Sequence, residues 1–340
     1  MKELGTMYKG IRKYLLIGAG MVCLMVSCGR KAAVIERPAF CADSAYAYIE
    51  RQMAFGPRVP NSAAHMQCAV WLIEQLRACG AEVELQKGFL PDYRGNDQQI
   101  YNIIGHFTPS HYGEGRGGAS RILLGAHYDT RPWCDEEPDY NDRFYNVPGA
   151  NDGASGVGVL LEVARQLGMR MQDSAVSIQP VDIIFFDVED MGTPRVYTGA
   201  ERADTWCLGS QLWATNYQKS QITNTQYSYG IVLDMVGAPD ASFPREMYST
   251  NYAANYQQQI WSAAKRLGYG AMFIDQQSYP ITDDHYYINY IAGIPCVDVI
   301  HYDVRNATGF PSWWHTRQDN MDNISKSTLQ AVGEVVMSQL

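Results

Sequence analysis

Val181-Asp182-Ile183-Ile184-Phe185-Phe186-Asp187-Val188-Glu189-Asp190 reads as a buried strand that runs straight into acid. Residues 181–186 are almost solidly apolar, the pattern of a strand covered on both faces in a parallel sheet. A charged side chain at the end of such a strand is costly unless it is paired or bound to metal. The same design recurs where Ile122–Ala126 leads into His127-Tyr128-Asp129, and where Gly230–Leu233 leads into Asp234. Further strands are predicted at Glu82–Leu85, Ile100–Phe107 and Cys296–Ile300. Apolar spacing predicts helices over 42–54, 61–78, 154–167, 208–217, 252–266, 284–291 and 325–339. Strands alternating with helices imply an α/β chain, with a central, largely parallel sheet covered on both faces. Gly-rich 113–118 reads as a hairpin loop between the strands on either side of it, and 129–148 as a long loop. Ligands in such sheets gather at the carboxyl ends of the strands. Those ends carry His127, Glu189, Asp190 and Asp234.

The first segment is set aside before any reasoning about the fold. Lys2, Lys9, Arg12 and Lys13 precede an apolar run from Leu15 to Val26, which is followed by Ser27-Cys28. A basic start, a short apolar stretch and a small residue before the cut are the features of an export signal. The run falls well short of the roughly 20 residues that span a bilayer. Met25-Val26-Ser27-Cys28 resembles a bacterial lipobox, with Cys28 as the lipidated residue. The organisation expected is therefore a signal at 1–27, a tether at 28–41 and one catalytic domain at 42–340. The mature chain would be exported and periplasmic, and would meet the membrane only through an anchor at Cys28. Removing the signal's net +3 takes the chain from −9 to −12. That argues against nucleic acid or an anionic membrane surface as partner. Six cysteines remain, at 41, 68, 79, 134, 207 and 296, with none at CxxC spacing. They read as mostly buried small apolar residues and not as a zinc site.

The acids and histidines compose a different metal site. Catalytic zinc takes His nitrogen and Asp or Glu oxygen, usually three protein ligands with one position left open. Asp152, Asp190 and His315 supply that set. Asp152 lies in Gly149-Ala150-Asn151-Asp152-Gly153-Ala154-Ser155-Gly156, whose glycines allow close backbone approach; the plain alternative is a helix N-cap. Glu189 and Asp190, as neighbours in extended chain, would point to opposite faces, one to metal and one over substrate.

In that order, these motifs, with Asp234 and His315-Thr316, resemble the exported zinc aminopeptidase superfamily that includes the glutaminyl cyclases. The resemblance runs from about residue 42 to the C-terminus and implies a three-layer α/β sandwich around a mixed, largely parallel sheet. For a two-zinc aminopeptidase it implies His127 and Asp234 on one metal, Asp190 and His315 on the other, and Asp152 bridging. Three segments resemble the cyclase branch instead: Asp234-Met235-Val236-Gly237-Ala238-Pro239, Thr282-Asp283-Asp284-His285, and Trp314 directly before His315. That branch implies one zinc per chain and peptides or proteins with N-terminal glutamine as substrate; separately, a monomer is expected. Glu189 would shuttle the proton, Asp234 and Asp283 would share it, and Trp314 would wall the substrate pocket. Trp206 and Trp133 are weaker pocket candidates. His127 and Asp129 become supports. Asp298 stands where animal cyclases carry a histidine, and its role is left open.

Overall fold

The computed structural model describes residues 36–109, 120–173, 178–200, 202–220 and 225–340. The proposed signal, Cys28 and the Gly-rich stretch 113–118 lie outside the described residues.

The sheet follows from the alternation of side chains along each strand. Six strands lie in the order β1-β2-β4-β3-β5-β8: β1 Glu82–Pro91, β2 Asp97–Phe107, β3 Arg121–His127, β4 Val181–Phe186, β5 Tyr227–Asp234 and β8 Cys296–Ile300. The four strands from β4 to β8 in that order are mutually parallel, while β2 runs antiparallel to both β1 and β4. Ile122, Leu124, Ile183, Phe185, Ile231 and Leu233 face one side. They pack under α1 Ala42–Met53, α2 Ala63–Ala78, α3 Ala154–Gln172, α5 Met247–Arg266 and α7 Lys326–Met337. Leu123, Ile184, Phe186 and Val232 face the other. There they meet α4 Leu208–Lys219 and the π turn Ile288–Ala292, which continues the short helix α6 Asp284–Tyr287. The result is the three-layer α/β sandwich around a mixed, largely parallel sheet.

One local expectation is corrected, and one pair of strands is added. The flanks of 113–118 do not form a hairpin, because β4 lies between β2 and β3. The hairpin is β1–β2, turning at Asp92, whose carboxylate accepts from the backbone of Arg94 and Asn96. A small parallel pair, β6 Phe243–Arg245 and β7 Phe273–Gln277, was not foreseen. Its strands are too short to show a period. None of the six cysteines at 41, 68, 79, 134, 207 and 296 is in a disulfide, and four of the six are buried. No helix among the described residues is long and apolar enough to cross a membrane.

Candidate metal and catalytic site

The carboxyl ends of β3, β4 and β5 converge with the loops that carry Asp152, Asp283 and His315. Asp152 stands two residues before the start of α3 but does not cap it. The cap is Gly153, at φ +91°, where a Cβ would come 2.7 Å from the Asp129 carbonyl oxygen. Gly156, one turn on, packs so closely on β5 that a Cβ would reach 2.3 Å from the Leu233 carbonyl. These two glycines let the Asp152 turn sit down on the strand ends. Asp319 fixes that turn from below, accepting from Asn151 N at 2.7 Å and Asp152 N at 3.1 Å. Both carboxylate oxygens of Asp152 then face imidazoles. Oδ1 is 3.0 Å from His127 Nε2 and Oδ2 is 3.4 Å from His315 Nε2.

Asp190 Oδ1 lies 3.1 Å from His315 Nε2. Glu189 and Asp190 do not lie in extended chain as expected. Val188, at φ +54°, turns the chain beyond β4, and the Asp129 carboxylate accepts from both Glu189 N (3.1 Å) and Asp190 N (3.2 Å). The two acids still part company, through a clamped turn and not through strand pleat. Of the six non-glycine residues with positive φ among the described residues, four stand here: Val188, Cys207, Met235 and His315. Such backbone is sparsely populated, for a β-branched valine above all, and persists only where surroundings over-determine it.

Donor atoms of Asp152, Asp190 and His315 lie within 4.8 Å of one another, as do those of His127, Asp152 and Asp234. A third group unites Glu189, Cys207 and Asp283. The first set fits zinc on its own chemistry. It offers two carboxylates and an imidazole, all buried, and Asp190 Oδ2 has no other partner among the described residues. Asp135 Oδ1 stands 3.6 Å from His315 Nδ1, the outer carboxylate that orients a ligating imidazole. Arg131 holds Asp135 in turn, through Nε at 2.9 Å and a second bond at 2.6 Å.

The electrostatics are those of a cation site. Burial alone would lower His315, yet the charge of Asp190 and hydrogen bonds with Asp152 and Asp190 raise it to about 9. Burial pushes Asp152 up, but hydrogen bonds from His127 and His315 outweigh it and hold the acid well below its usual range. Glu189 goes the other way. Burial first, then the charges of Asp190 and Asp283, raise it well above an ordinary glutamate. Burial likewise lifts Asp234 to about 7, against its hydrogen bond with His127 at 3.3 Å. Asp319, never singled out from sequence, is lifted to about 8 by burial and by Asp152.

A cavity of about 450 Å³ opens onto these groups, and Trp206, Trp314, Ile281, Ile300, Tyr302 and Phe310 are among its walls. Trp314 stacks on His315 at 3.7 Å between ring centroids, and Trp206 lies parallel to the same imidazole at 6.2 Å. Trp133 does not line the cavity; it packs edge-on to Tyr93 and against the buried cluster of Ile100, Val188, Met191 and Leu208. His127 Nε2 lies 3.0 Å from Asp152 Oδ1 and 3.3 Å from Asp234 Oδ1. Asp298 lies at the middle of β8, 3.5 Å from His285 Nδ1. Residues that sequence reasoning missed include Asp319, Asp135, Arg131, Cys207 and Glu246. The last accepts from Tyr248 N, Ser249 N and Ile281 N, and meets His285 Nε2 at 3.0 Å.

Residues 102–340 match the model of peptidase family M28. The chain belongs to that family. Among solved structures, a Zn-dependent exopeptidase from Parabacteroides distasonis is 46% identical, with a TM-score of 0.81, over 89% of this chain and 99% of that one. The glutaminyl cyclase of Tannerella forsythia is 45% identical, TM-score 0.81, over 88% and 98%. Among curated relatives, glutaminyl-peptide cyclotransferase of Bos taurus is 24% identical over 82% of this chain and 76% of its own length. Aminopeptidase YwaD of Bacillus subtilis is 27% identical over 71% of this chain, which spans only 44% of that longer protein. The M28 chain thus has both peptidases and cyclases as relatives.

Proposed function

We propose that this M28 chain is a zinc-dependent glutaminyl cyclase, converting N-terminal glutamine of peptides to pyroglutamate with release of ammonia. The observation that carries the reading is Asp283. It brings a carboxylate oxygen within 4.8 Å of the Glu189 carboxylate, in full burial. Asp283 belongs to Thr282-Asp283-Asp284-His285, the segment that resembles the cyclase branch, and its charge helps raise Glu189, so that one carboxylate can take a proton from the amine and return it to the departing nitrogen.

Asp152, Asp190 and His315 would hold the zinc. When bound it supplies positive charge that polarises the γ-carboxamide carbonyl. The chain's own residues do the rest. Trp314, Trp206 and the aliphatic walls exclude water and confine the glutaminyl side chain, so the amine and the carboxamide carbon of one molecule meet at high effective concentration. Glu189 takes a proton from the α-ammonium, and the freed nitrogen bonds to the γ-carbon. Glu189 then returns that proton to the carboxamide nitrogen and takes the second one from the ring nitrogen; the C–N bond breaks, ammonia leaves, and the last proton departs with it as ammonium. A carboxylate raised by burial can hold a proton near neutral pH, which a two-way shuttle requires. Asp234 and Asp283 share that proton by crowding Glu189 with like charge. Export, a lipid anchor at Cys28, one zinc per chain and a monomeric state belong to the same reading.

A second reading is favoured by one observation. His127 and Asp234 flank Asp152 as a second donor set, so a two-zinc aminopeptidase fits the same side chains. Zinc-loaded protein on a glutaminyl dipeptide and on a leucyl amide separates them. Ammonia from the first alone supports the cyclase, whereas leucine from the second overturns it.

A further inference from the structure

One donor atom from each of Asp283, His285 and Asp298 falls within 4.8 Å of the others. Exposure is 3% for Asp283 and 0% for His285 and Asp298, so the cluster is closed to solvent. The far sides of two members are accounted for. His285 Nε2 meets Glu246 Oε2 at 3.0 Å, and Asp283 Oδ1 accepts from Asp284 N at 2.5 Å. What remains is Asp283 Oδ2, His285 Nδ1 and both oxygens of Asp298, none with a hydrogen-bond partner among the described residues. His285 Nδ1 stands 3.5 Å from Asp298 Oδ2 and 4.0 Å from Asp283 Oδ2.

Ionised carboxylates only accept, and a buried one without a donor is among the costliest groups a fold can contain. A proton or a cation must therefore lie among these atoms. A divalent ion would shed its whole water shell to reach a cluster this closed, while a proton needs no room. Of the two acids, Asp283 has a backbone N–H supporting its charge, whereas Asp298 faces the His285 imidazole, 3.5 Å away and hydrogen-bonded to Glu246 through its other nitrogen. We propose that Asp298 is a neutral carboxylic acid whose O–H donates to Oδ2 of Asp283, making it a positioning residue for Asp283. No covalent bond changes, and the proton stays on Asp298.

The surroundings agree. Asp283 and His285 face Asp298 from α6, Glu246 from the start of α5, Asp234 from β5 and Cys296 from its own strand. Burial, then the charges of Asp283, Glu246 and Asp234, push the Asp298 carboxyl well above the usual range. With a backbone N–H on one oxygen and Asp298 on the other, Asp283 is locked in a single orientation beside Glu189. What Asp283 does in turnover rests on the cyclase reading; the protonation of Asp298 does not.

The test uses the zinc-loaded enzyme and its Asp298→Asn and Asp298→Val variants. The difference infrared spectrum of wild type minus Asp298→Asn should show the carbonyl stretch of a protonated carboxylic acid at neutral pH. The asparagine amide still donates, so its kcat should stay within about threefold of wild type. Valine donates nothing, and kcat should fall about tenfold or more with KM unchanged. If valine does not fold, the asparagine variant and the infrared band carry the test. No carboxylic-acid band, an asparagine variant as slow as valine, or a second metal ion lost with Asp298 would each overturn the assignment. A wild type that does not cyclise glutamine defeats the proposed function, while the band still decides the protonation.

Discussion

The thiol of Cys207 lies 3.0 Å from Oε1 of Glu189, and the backbone N–H of the same cysteine donates to the Glu189 carbonyl at 2.8 Å. Burial and the neighbouring carboxylates hold that thiol far above its ordinary range, so it remains a donor. Glu189→Gln keeps an acceptor for the thiol and removes only the group that can bind and release a proton. Turnover of a glutaminyl substrate should fall by about 10² or more, with zinc content normal. Retained activity would show that Glu189 is not the shuttle.

His315 meets Asp152 and Asp190 through Nε2, stacks on Trp314 and has Trp206 parallel to it at 6.2 Å. An alanine there removes the only imidazole of the triad. His315→Ala should bind zinc at least about 10-fold more weakly, by analogy with the loss caused by far subtler changes around metal ligands. Equilibrium dialysis reads this without any assay of activity, and full zinc occupancy in the variant removes His315 from the metal.

His127 separates the one-metal and two-metal readings. In the cyclase it hydrogen-bonds Asp152 and Asp234, so His127→Ala should retain the single zinc and lose only part of its rate. A two-zinc aminopeptidase would hold two ions per chain as wild type and lose one in this variant. Elemental analysis of both proteins decides, since the count in wild type and the change on mutation must agree.

What was legible in sequence was whatever broke a pattern. Acid after Ile183-Ile184-Phe185-Phe186, and again after Ile231-Val232-Leu233, is out of place for a buried strand; Glu189, Asp190 and Asp234 fall at the site, while Asp187 turns to His65 and Tyr101 N. Asp319 breaks nothing. It sits in polar Thr316-Arg317-Gln318-Asp319-Asn320, and its partners are backbone N–H groups of Asn151 and Asp152, which no residue pattern announces. Glu246 is hidden for the same reason. The Val188 turn was missed because β-branched residues rarely adopt positive φ, so local propensity argued for continued strand. β6 and β7 were missed because three and five residues carry no readable period.

His301 follows β8, is 2% exposed and leans on the Trp313 ring, and its Nδ1 has no hydrogen-bond partner among the described residues. Burial lowers its pKa to about 4, against the opposing pull of Asp240 and Asp303. The folded protein therefore favours the neutral ring, while the unfolded chain titrates near the ordinary value of about 6.5. Between those two values the unfolded state binds more protons, so stability must rise with pH across the window. The contribution is complete above about 6.5, shrinks as pH falls and is gone below about 4. A gap of this size corresponds to about 3 kcal/mol at most. His301→Phe keeps a ring against Trp313 and cannot titrate. Urea unfolding across this range, taken as wild type minus variant, cancels the carboxylates and the zinc site that both proteins share. The difference should slope upward with pH and flatten above about 6.5. A flat difference throughout would mean that His301 is not held neutral by the fold.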